Sequence, residues 1–272
     1  MLAEKRRCGE DKNRARDILA KRTPSVQVSK NFYKKVLKKI YPSYRFSWQV
    51  YSDKLGELSG KQKVWLDAGC GRNVTIRDFP AKYSLGIDIE IHPELENEHR
   101  FIKGSLDNLP FRGGVFDLLT AHFVVEHLDY PDVVFKEFSR VLKPGGCLLI
   151  RTTNRLNYAF FIASLIPDRL RRRIVRAVYG RQVDIYQTRY RLNTPIALGK
   201  ISLTSGLELE SVVMTENLHL VHPFVFAVSL VIERILSIGP LRNLKNMMVA
   251  VYRKPTYFIS FGDPQFDSIH SA

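Results

Sequence analysis

The sequence predicts an α/β protein built on a largely parallel sheet, and three observations support this class. Of its 272 residues, 45% are hydrophobic and 25% are charged, as in globular rather than disordered chains. Short apolar runs, such as residues 63–68 and 115–121, alternate with segments whose apolar residues have helical spacing, such as 131–142. The run at 63–68 ends in a glycine-rich turn, as strands of open α/β sheets do beside a ligand.

Cysteine usage and hydropathy exclude several classes of protein. Cys8, Cys70 and Cys147 form no C-x-x-C pair, which argues against a disulfide scaffold and against a zinc site, so no metal is predicted. Residues 1–22 lack the apolar core of a secretion signal. The longest stretch without a charged residue, 217–232, is shorter than the about 20 residues that a membrane span needs. We therefore expect a cytoplasmic protein without a spanning helix.

The net charge of +15 is concentrated in two segments. Residues 1–60 carry 15 basic and 6 acidic side chains, and residues 155–181 carry 7 arginines and one acidic side chain. Such patches indicate an anionic partner, which could be nucleic acid, a membrane surface or a phosphorylated substrate. A solubilising tail and a solvated helix face are the structural alternative.

The predicted ligand site begins at the turn after the first strand, Asp67-Ala-Gly-Cys-Gly71. Gly69 and Gly71 allow the backbone to approach a ligand closely, since glycine carries no side chain. A dinucleotide fingerprint requires a third glycine at position 74, where this chain has Val74. The sequence therefore disfavours a nicotinamide cofactor.

These residues resemble the first motif of the class I S-adenosylmethionine-dependent methyltransferases, and further matches follow in order. Residues 83–89 resemble the second strand of the family, with Asp88 at the position that binds the two ribose hydroxyls. Residues 104–111 resemble the segment that touches adenine, although Ser105 replaces its usual acid. Glu126-His127 and the later R-V-L-K-P-G-G, residues 140–146, are typical of the methyltransferase type 11 group. The resemblance covers residues 63–152.

The resemblance implies a Rossmann-like, seven-stranded, mostly parallel sheet with an N-terminal helical cap and an apolar helical insert before the last strand. It implies S-adenosylmethionine as the cofactor and a first group of contacts in the glycine turn and second strand. The expected cofactor-binding residues are Asp67, Ala68, Gly69, Cys70, Gly71, Asp88, Ile89, Ser105, Leu106, Asp107 and Thr120.

The implied reaction is displacement of the sulfonium methyl group by a substrate nucleophile, for which the enzyme mainly aligns the reactants. An oxygen nucleophile usually also needs a base. His122, just past the fourth strand, is one candidate because ligands gather at the carboxyl ends of strands. His127 is the other candidate, with a structural role as its alternative. The chain lacks an N/D-P-P-Y/F motif after the fourth strand, which disfavours methylation of exocyclic amines of nucleic acid bases.

The second half is expected to choose the substrate. We divide the chain into a basic extension and cap (1–60), a methyltransferase domain (61–254) and a flexible tail (255–272). Within the domain, 61–154 binds the cofactor, and 155–254 contains a helical lid (155–182) and an apolar insert (218–241). Helical spacing over 224–238 leaves Ser229, Glu233 and Ser237 as a narrow polar stripe on an otherwise apolar helix. Such a helix is either buried as a lid over the cleft or lies in a lipid interface.

The sequence therefore predicts an enzyme that methylates a small or lipid-linked acceptor at oxygen or carbon. An RNA methyltransferase and a non-catalytic methyltransferase-like scaffold are the two alternatives. Basic residues interleaved with apolar ones favour an anionic membrane, with a peripheral position at its inner face, over nucleic acid as the macromolecular partner. The acceptor atom and the oligomeric state stay open.

Overall fold

A computed structural model of the chain describes residues 24–71, 76, 78–90, 100–158, 188–218, 220 and 223–256. The chain divides into two compact units, which are described separately. The first comprises Met1–Tyr44 and Leu218–Ile235, and the second comprises Arg45–Asn217 and Leu236–Ala272. Most of the predicted lid (155–182) and most of the predicted tail (255–272) lie outside the described residues.

The second unit is built on a seven-stranded sheet in the order β3-β2-β1-β4-β5-β7-β6. The strands β1 to β5 run parallel, whereas β7 is antiparallel to both β5 and β6. This arrangement confirms the predicted Rossmann-like class. The strands are β1 (Gly60–Ala68), β2 (Ala81–Asp88), β3 (Phe101–Lys103), β4 (Phe116–His122), β5 (Leu142–Thr153), β6 (Glu208–Thr215) and β7 (Met247–Arg253).

In chain order the helices are α1 (Pro24–Ile40), α2 (Ser47–Leu58), α3 (Pro131–Val141), α4 (Pro195–Ser205) and α5 (Pro223–Leu236). Helices of the second unit, α2, α3 and α4, cover both faces of its sheet, as the apolar strands require. One core cluster includes Phe135 and Phe138 of α3 with Leu198 of α4. A second cluster, on the other face, places Tyr51 and Leu55 of α2 against Trp65.

Local signals in the sequence explain where these helices begin and end. Pro131 and Pro195 occupy the first helical positions of α3 and α4, where the missing N–H costs nothing. The Thr194 hydroxyl caps α4 by accepting from the Ala197 N–H, and Gly206 ends it with φ +72°. The helix predicted from the spacing over 131–142 therefore matches the structure closely. Strand β5 begins at Leu142, and its pairing with β4 shifts register between the partners of Phe116 and Leu118.

The first unit contains α1 and all but the last residue of α5. Tyr33 of α1 packs on Phe226 of α5 with ring centroids 5.1 Å apart. The Tyr44 hydroxyl accepts from the Leu218 N–H at 3.1 Å, so the chain entering α5 is tied to the end of the α1 segment. Among the helices described, none is long and apolar enough to cross a membrane.

Candidate active site

The glycine turn follows the carboxyl end of β1 and is shaped for close approach of a ligand. Gly69 has φ +67°, and a Cβ there would lie 2.5 Å from Cγ2 of Val124, so a side chain does not fit. Gly71 has φ +51°, and a Cβ there would meet nothing within 4 Å. The turn therefore presents backbone to open space. Its Gly69 N–H is bound to the Ile87 carbonyl of β2 at 2.8 Å.

Asp67, at the end of β1, is held by a buried chain of hydrogen bonds. Trp65 Nε1 donates to Thr120 Oγ1 at 2.9 Å, and that hydroxyl donates to Asp67 Oδ1 at 2.6 Å. Asp67 Oδ2 is buried and accepts no hydrogen bond from the described residues. Burial raises the pKa of Asp67 to about 7, against the opposing effect of the Thr120 hydrogen bond. Thr120, predicted as a direct cofactor contact, is fully buried and orients Asp67 instead of facing open space.

Asp88 ends β2 and joins the glycine turn to the neighbouring strand. Its Oδ2 accepts from the Gly71 N–H at 2.7 Å, and its Oδ1 accepts from the Glu90 N–H at 3.2 Å. Each carboxylate oxygen can accept two hydrogen bonds, so both keep capacity for a ligand hydroxyl. The next residue, Ile89, is exposed. Asp88 therefore combines a structural bond to the turn with two open acceptor positions.

The remaining predicted cofactor residues differ in exposure. Ala68 and Cys70 are buried, and burial raises the pKa of the Cys70 thiol to about 12, so this cysteine fills space rather than reacting. In the loop after β3, Ser105 and Asp107 are exposed, whereas Leu106 is buried. The Gly104 N–H donates to the Asp88 carbonyl at 2.8 Å, which ties the start of that loop to the end of β2.

His122 ends β4 and pairs with Arg151 on the adjacent strand β5, two residues before that strand ends. Nη1 of Arg151 lies 2.7 Å from Nε2 of His122. A guanidinium can only donate, so His122 Nε2 accepts and the imidazole is neutral. Burial, with a smaller effect of the Arg151 charge, lowers the pKa of His122 to about 4. Rings of Tyr51 and Phe123 flank the imidazole with centroids 5.1 and 4.7 Å away. Phe123 has φ +57°, a strained conformation for a bulky residue.

Arg151 is a functional candidate that the sequence reasoning missed. It is 9% exposed, and its Nε and Nη2 both donate to Ser47 Oγ at the start of α2, at 3.1 and 2.7 Å. Within the described residues no carboxylate forms an ion pair with it within 4.0 Å. Burial lowers its pKa to about 10. The available signal was a charged side chain directly after the apolar run at residues 147–150, like Asp67 after the apolar run at 64–66.

The turn Val125–His127 carries the second predicted histidine. Glu126 beside it is 4% exposed and accepts from Thr152 Oγ1 at 2.8 Å, and burial raises its pKa. The Glu126 carbonyl also accepts from the N–H groups of Arg189 and Tyr190, at 2.7 and 3.1 Å. His127 is half-buried. Glu126 therefore anchors this turn to β5 and to the segment before α4. Metal ligation has no basis in the described residues, which hold no cluster of three His, Cys, Asp or Glu side chains.

Comparison with known proteins identifies the domain. Residues 66–150 match the family model of the methyltransferase domain. An S-adenosylmethionine-dependent methyltransferase from Mesorhizobium loti superposes with a TM-score of 0.52 at 17% identity, covering 76% of this chain and 97% of that one. The chain therefore carries a class I S-adenosylmethionine-dependent methyltransferase domain.

Two curated relatives show how far the similarity of this methyltransferase extends. An uncharacterised protein of Methanocaldococcus jannaschii is 27% identical in an alignment of 195 positions that covers 63% of this chain and 85% of that protein. The ubiquinone/menaquinone biosynthesis C-methyltransferase of Nitrobacter hamburgensis is 31% identical over 128 residues, 44% of this chain. The methyltransferase spans 48% of the length of the Nitrobacter relative.

The residues of this methyltransferase fit its cofactor, S-adenosylmethionine. Asp67 Oδ2 is a buried acceptor without a partner among the described residues, which suits the ammonium of the methionine part. Asp88 keeps acceptor capacity that suits two ribose hydroxyls. The open space at Gly71 leaves room beside the turn.

Proposed function

We propose that this methyltransferase transfers a methyl group to a small or lipid-linked acceptor, at oxygen or carbon. The observation that carries the proposal is the arrangement at the ends of β4 and β5. There the neutral imidazole of His122 lies between aromatic rings and beside the buried guanidinium of Arg151. Such an environment suits an apolar acceptor that bears one oxygen on which negative charge develops. The name of the Nitrobacter relative makes quinone-type acceptors the first to test.

In this proposal the protein contributes alignment, charge and exclusion of water. When bound, S-adenosylmethionine supplies a methyl group that its sulfonium already activates towards in-line displacement. Arg151 stabilises negative charge on the acceptor oxygen, either as it loses its proton or as an adjacent carbon attacks. Asp67 and Asp88 hold opposite parts of the cofactor and so fix the direction of attack.

The two histidines have different parts in this proposal. His122 Nε2 already accepts from Arg151, so protonation there would bring two buried cations together. We assign His122 the position of a neutral group that orients Arg151 and packs against the acceptor. His127, on the adjacent turn, keeps the role of candidate base for an oxygen acceptor.

Calorimetric titration with S-adenosylmethionine is the first experiment. We expect the wild-type protein to bind, Asp88→Ala to lose measurable binding and the exposed Asp78→Ala to bind as wild type. Binding that survives in Asp88→Ala would refute the proposed cofactor site. Quinone precursors and other hydroxylated aromatic compounds are then tested for methylation in the presence of the cofactor. Failure of every such acceptor, with cofactor binding intact, would refute the acceptor class and leave the site assignment standing.

For the macromolecular partner we propose an anionic membrane surface, at which the chain is peripheral. This position would give access to a lipid-linked acceptor without a spanning helix. The support is exposed apolar side chains that lie among lysines in the first unit, a combination that lipid head groups satisfy better than RNA phosphates alone.

A further inference from the structure

Helix α5 buries two polar side chains and leaves several large apolar side chains exposed. Its two central polar side chains face inward: Ser229 is 4% exposed and donates to the Phe226 carbonyl at 2.9 Å, and Glu233 is 3% exposed. Of its large apolar side chains, Phe226 and Leu236 are also buried, whereas five are exposed, among them Phe224 at 71% and Val231 at 58%. A helix on the surface of a water-soluble protein normally shows the opposite orientation. The outward face therefore requires an apolar environment.

Helix α1 lies beside α5 and adds positive charge to this region. Besides the Tyr33–Phe226 ring contact, the Arg234 guanidinium lies over the Tyr41 ring at 3.8 Å and donates to the Ile40 carbonyl at 3.3 Å. These contacts fix the end of α1 against α5. Four lysines on α1 are exposed: Lys34, Lys35, Lys38 and Lys39.

The exposed charge of the described part of this unit is of one sign. Besides the four lysines and Arg234, the described part of this unit has one acidic side chain, Glu233, and that side chain is buried. Exposed aromatic and aliphatic side chains accompany them, including Phe32 on α1 and Ile235 on α5. A basic surface that also carries large apolar side chains matches a bilayer interface, where head-group phosphates meet the acyl boundary.

We propose that the α1–α5 surface docks on an anionic lipid bilayer. We define this surface by its exposed residues Phe32, Lys34, Lys35, Lys38, Lys39, Phe224, Val225, Val228, Val231 and Ile235. The apolar side chains enter the boundary between head groups and acyl chains, and the lysines contact lipid phosphates. This docking rests on the peripheral membrane location proposed above and names the surface responsible for it. It does not depend on the identity of the methyl acceptor.

Vesicle flotation of the full chain tests this proposal without cofactor or acceptor. We expect the protein to float with vesicles of equal parts phosphatidylcholine and phosphatidylglycerol and to stay behind with phosphatidylcholine alone. The triple variant Phe224→Ser, Val228→Ser, Val231→Ser should lose flotation. Lys38→Gln with Lys39→Gln should weaken the partition coefficient about 30-fold, since each basic residue near the surface contributes about fivefold. All substituted positions are exposed, so the fold should persist, and thermal unfolding checks this.

Matched variants on the second unit serve as controls. Ile196→Ser with Leu203→Ser removes two apolar side chains that are 68% and 86% exposed on α4, and it should float as wild type. Lys136→Gln with Lys200→Gln removes two exposed lysines and should partition as wild type. Equal flotation of the wild type and the triple α5 variant would overturn the proposal. A second outcome would also overturn it: the protein does not float but self-associates, and the α5 substitutions abolish the self-association. The surface would then join two copies of the chain. Cofactor titration of the same samples separates this failure from failure of the proposed function.

Discussion

Nε2 of His122 accepts a hydrogen bond from Nη1 of Arg151 at 2.7 Å, across the ends of two paired strands. This pair decides how the acceptor end of the site can work. A histidine that accepts from a buried guanidinium stays neutral at physiological pH, which agrees with the lowered pKa of His122, about 4. The site thus combines a permanent cation with a neutral ring, rather than an acid and a base that exchange a proton.

The neutral His122 should make stability depend on pH. Its pKa is about 4 in the folded chain and 6.5 when solvated, so the unfolded chain binds the extra proton first as pH falls. Stability from this group is therefore complete above pH 6.5 and is lost as pH falls towards 4, by up to about 3 kcal/mol. Urea unfolding across that window should show a smaller loss for His122→Asn than for wild type. Tyr51→Phe, which keeps the neighbouring ring, should retain the wild-type loss, and an unchanged loss in His122→Asn would contradict the assignment.

Replacing Arg151 with an uncharged side chain should destabilise the protein less than replacing it with lysine. Arg151→Met removes a buried cation without a carboxylate partner among the described residues together with its hydrogen bonds to Ser47. Arg151→Lys keeps the charge but has no planar fork to reach both Ser47 and His122. We expect Arg151→Lys to be the less stable variant, by about 1–3 kcal/mol, since it leaves a buried charge with fewer hydrogen bonds. Urea unfolding midpoints measure the difference. The reverse order would show that the charge itself stabilises this end of the sheet.

The cofactor half of the fold was predictable because its signals are local. Apolar runs, the glycine turn and the acids at strand ends each occupy a few adjacent residues, and Asp67, Gly69, Gly71 and Asp88 indeed meet at the ends of β1 and β2. Parallel strands place their carboxyl ends at one sheet edge, so order along the chain is enough to bring these residues together.

Long-range partners in the site were not predictable in the same way. The bond from Arg151 to Ser47 joins residues 104 apart in the chain, and no periodicity encodes it. The orientation of α5 also escaped prediction, because its polar stripe marks a face without saying whether that face is buried. The hydropathy pattern predicted a helix with these polar residues on one face. Whether that face is buried depends on packing within the first unit, where Ser229 and Glu233 point inward.

The ionisation of Asp67 should control cofactor affinity. Its pKa is about 7 in the free protein, so raising the pH from about 6 to about 8 converts most of it to the carboxylate that a cationic ligand prefers. The Kd for S-adenosylmethionine should therefore fall over this range in wild type. Asp67→Asn should bind more weakly and show a flat profile over the same range. Calorimetry at several pH values measures both, and a pH dependence that survives in Asp67→Asn would assign it to another group.

Thr120 should act on the cofactor through Asp67 alone. Thr120→Val leaves Trp65 Nε1 and Asp67 Oδ1 without the hydroxyl that joins them while keeping the side-chain shape, at a cost of about 1–3 kcal/mol in stability. Loss of this hydrogen bond raises the pKa of Asp67 further, so the pH dependence of cofactor affinity should move to higher pH. Thr120→Ser keeps the hydroxyl and should behave as wild type in this profile. A Thr120→Val profile that coincides with wild type would mean that the hydroxyl only fills space.

The two glycines of the turn should respond differently to a methyl group. Gly69→Ala places Cβ against Val124 and adds the strain of φ +67°, whereas Gly71→Ala adds strain alone because its surroundings are open. We expect a loss of about 1 kcal/mol in unfolding free energy for Gly71→Ala and clearly more for Gly69→Ala. Combining Gly69→Ala with Val124→Ala tests the source of the excess, since the clash disappears while the backbone strain stays. In a double-mutant cycle by urea unfolding, the two substitutions should couple favourably. If the two changes in unfolding free energy simply add, the turn relieves the clash by moving. The close packing of Gly69 on Val124 would then not explain the need for glycine.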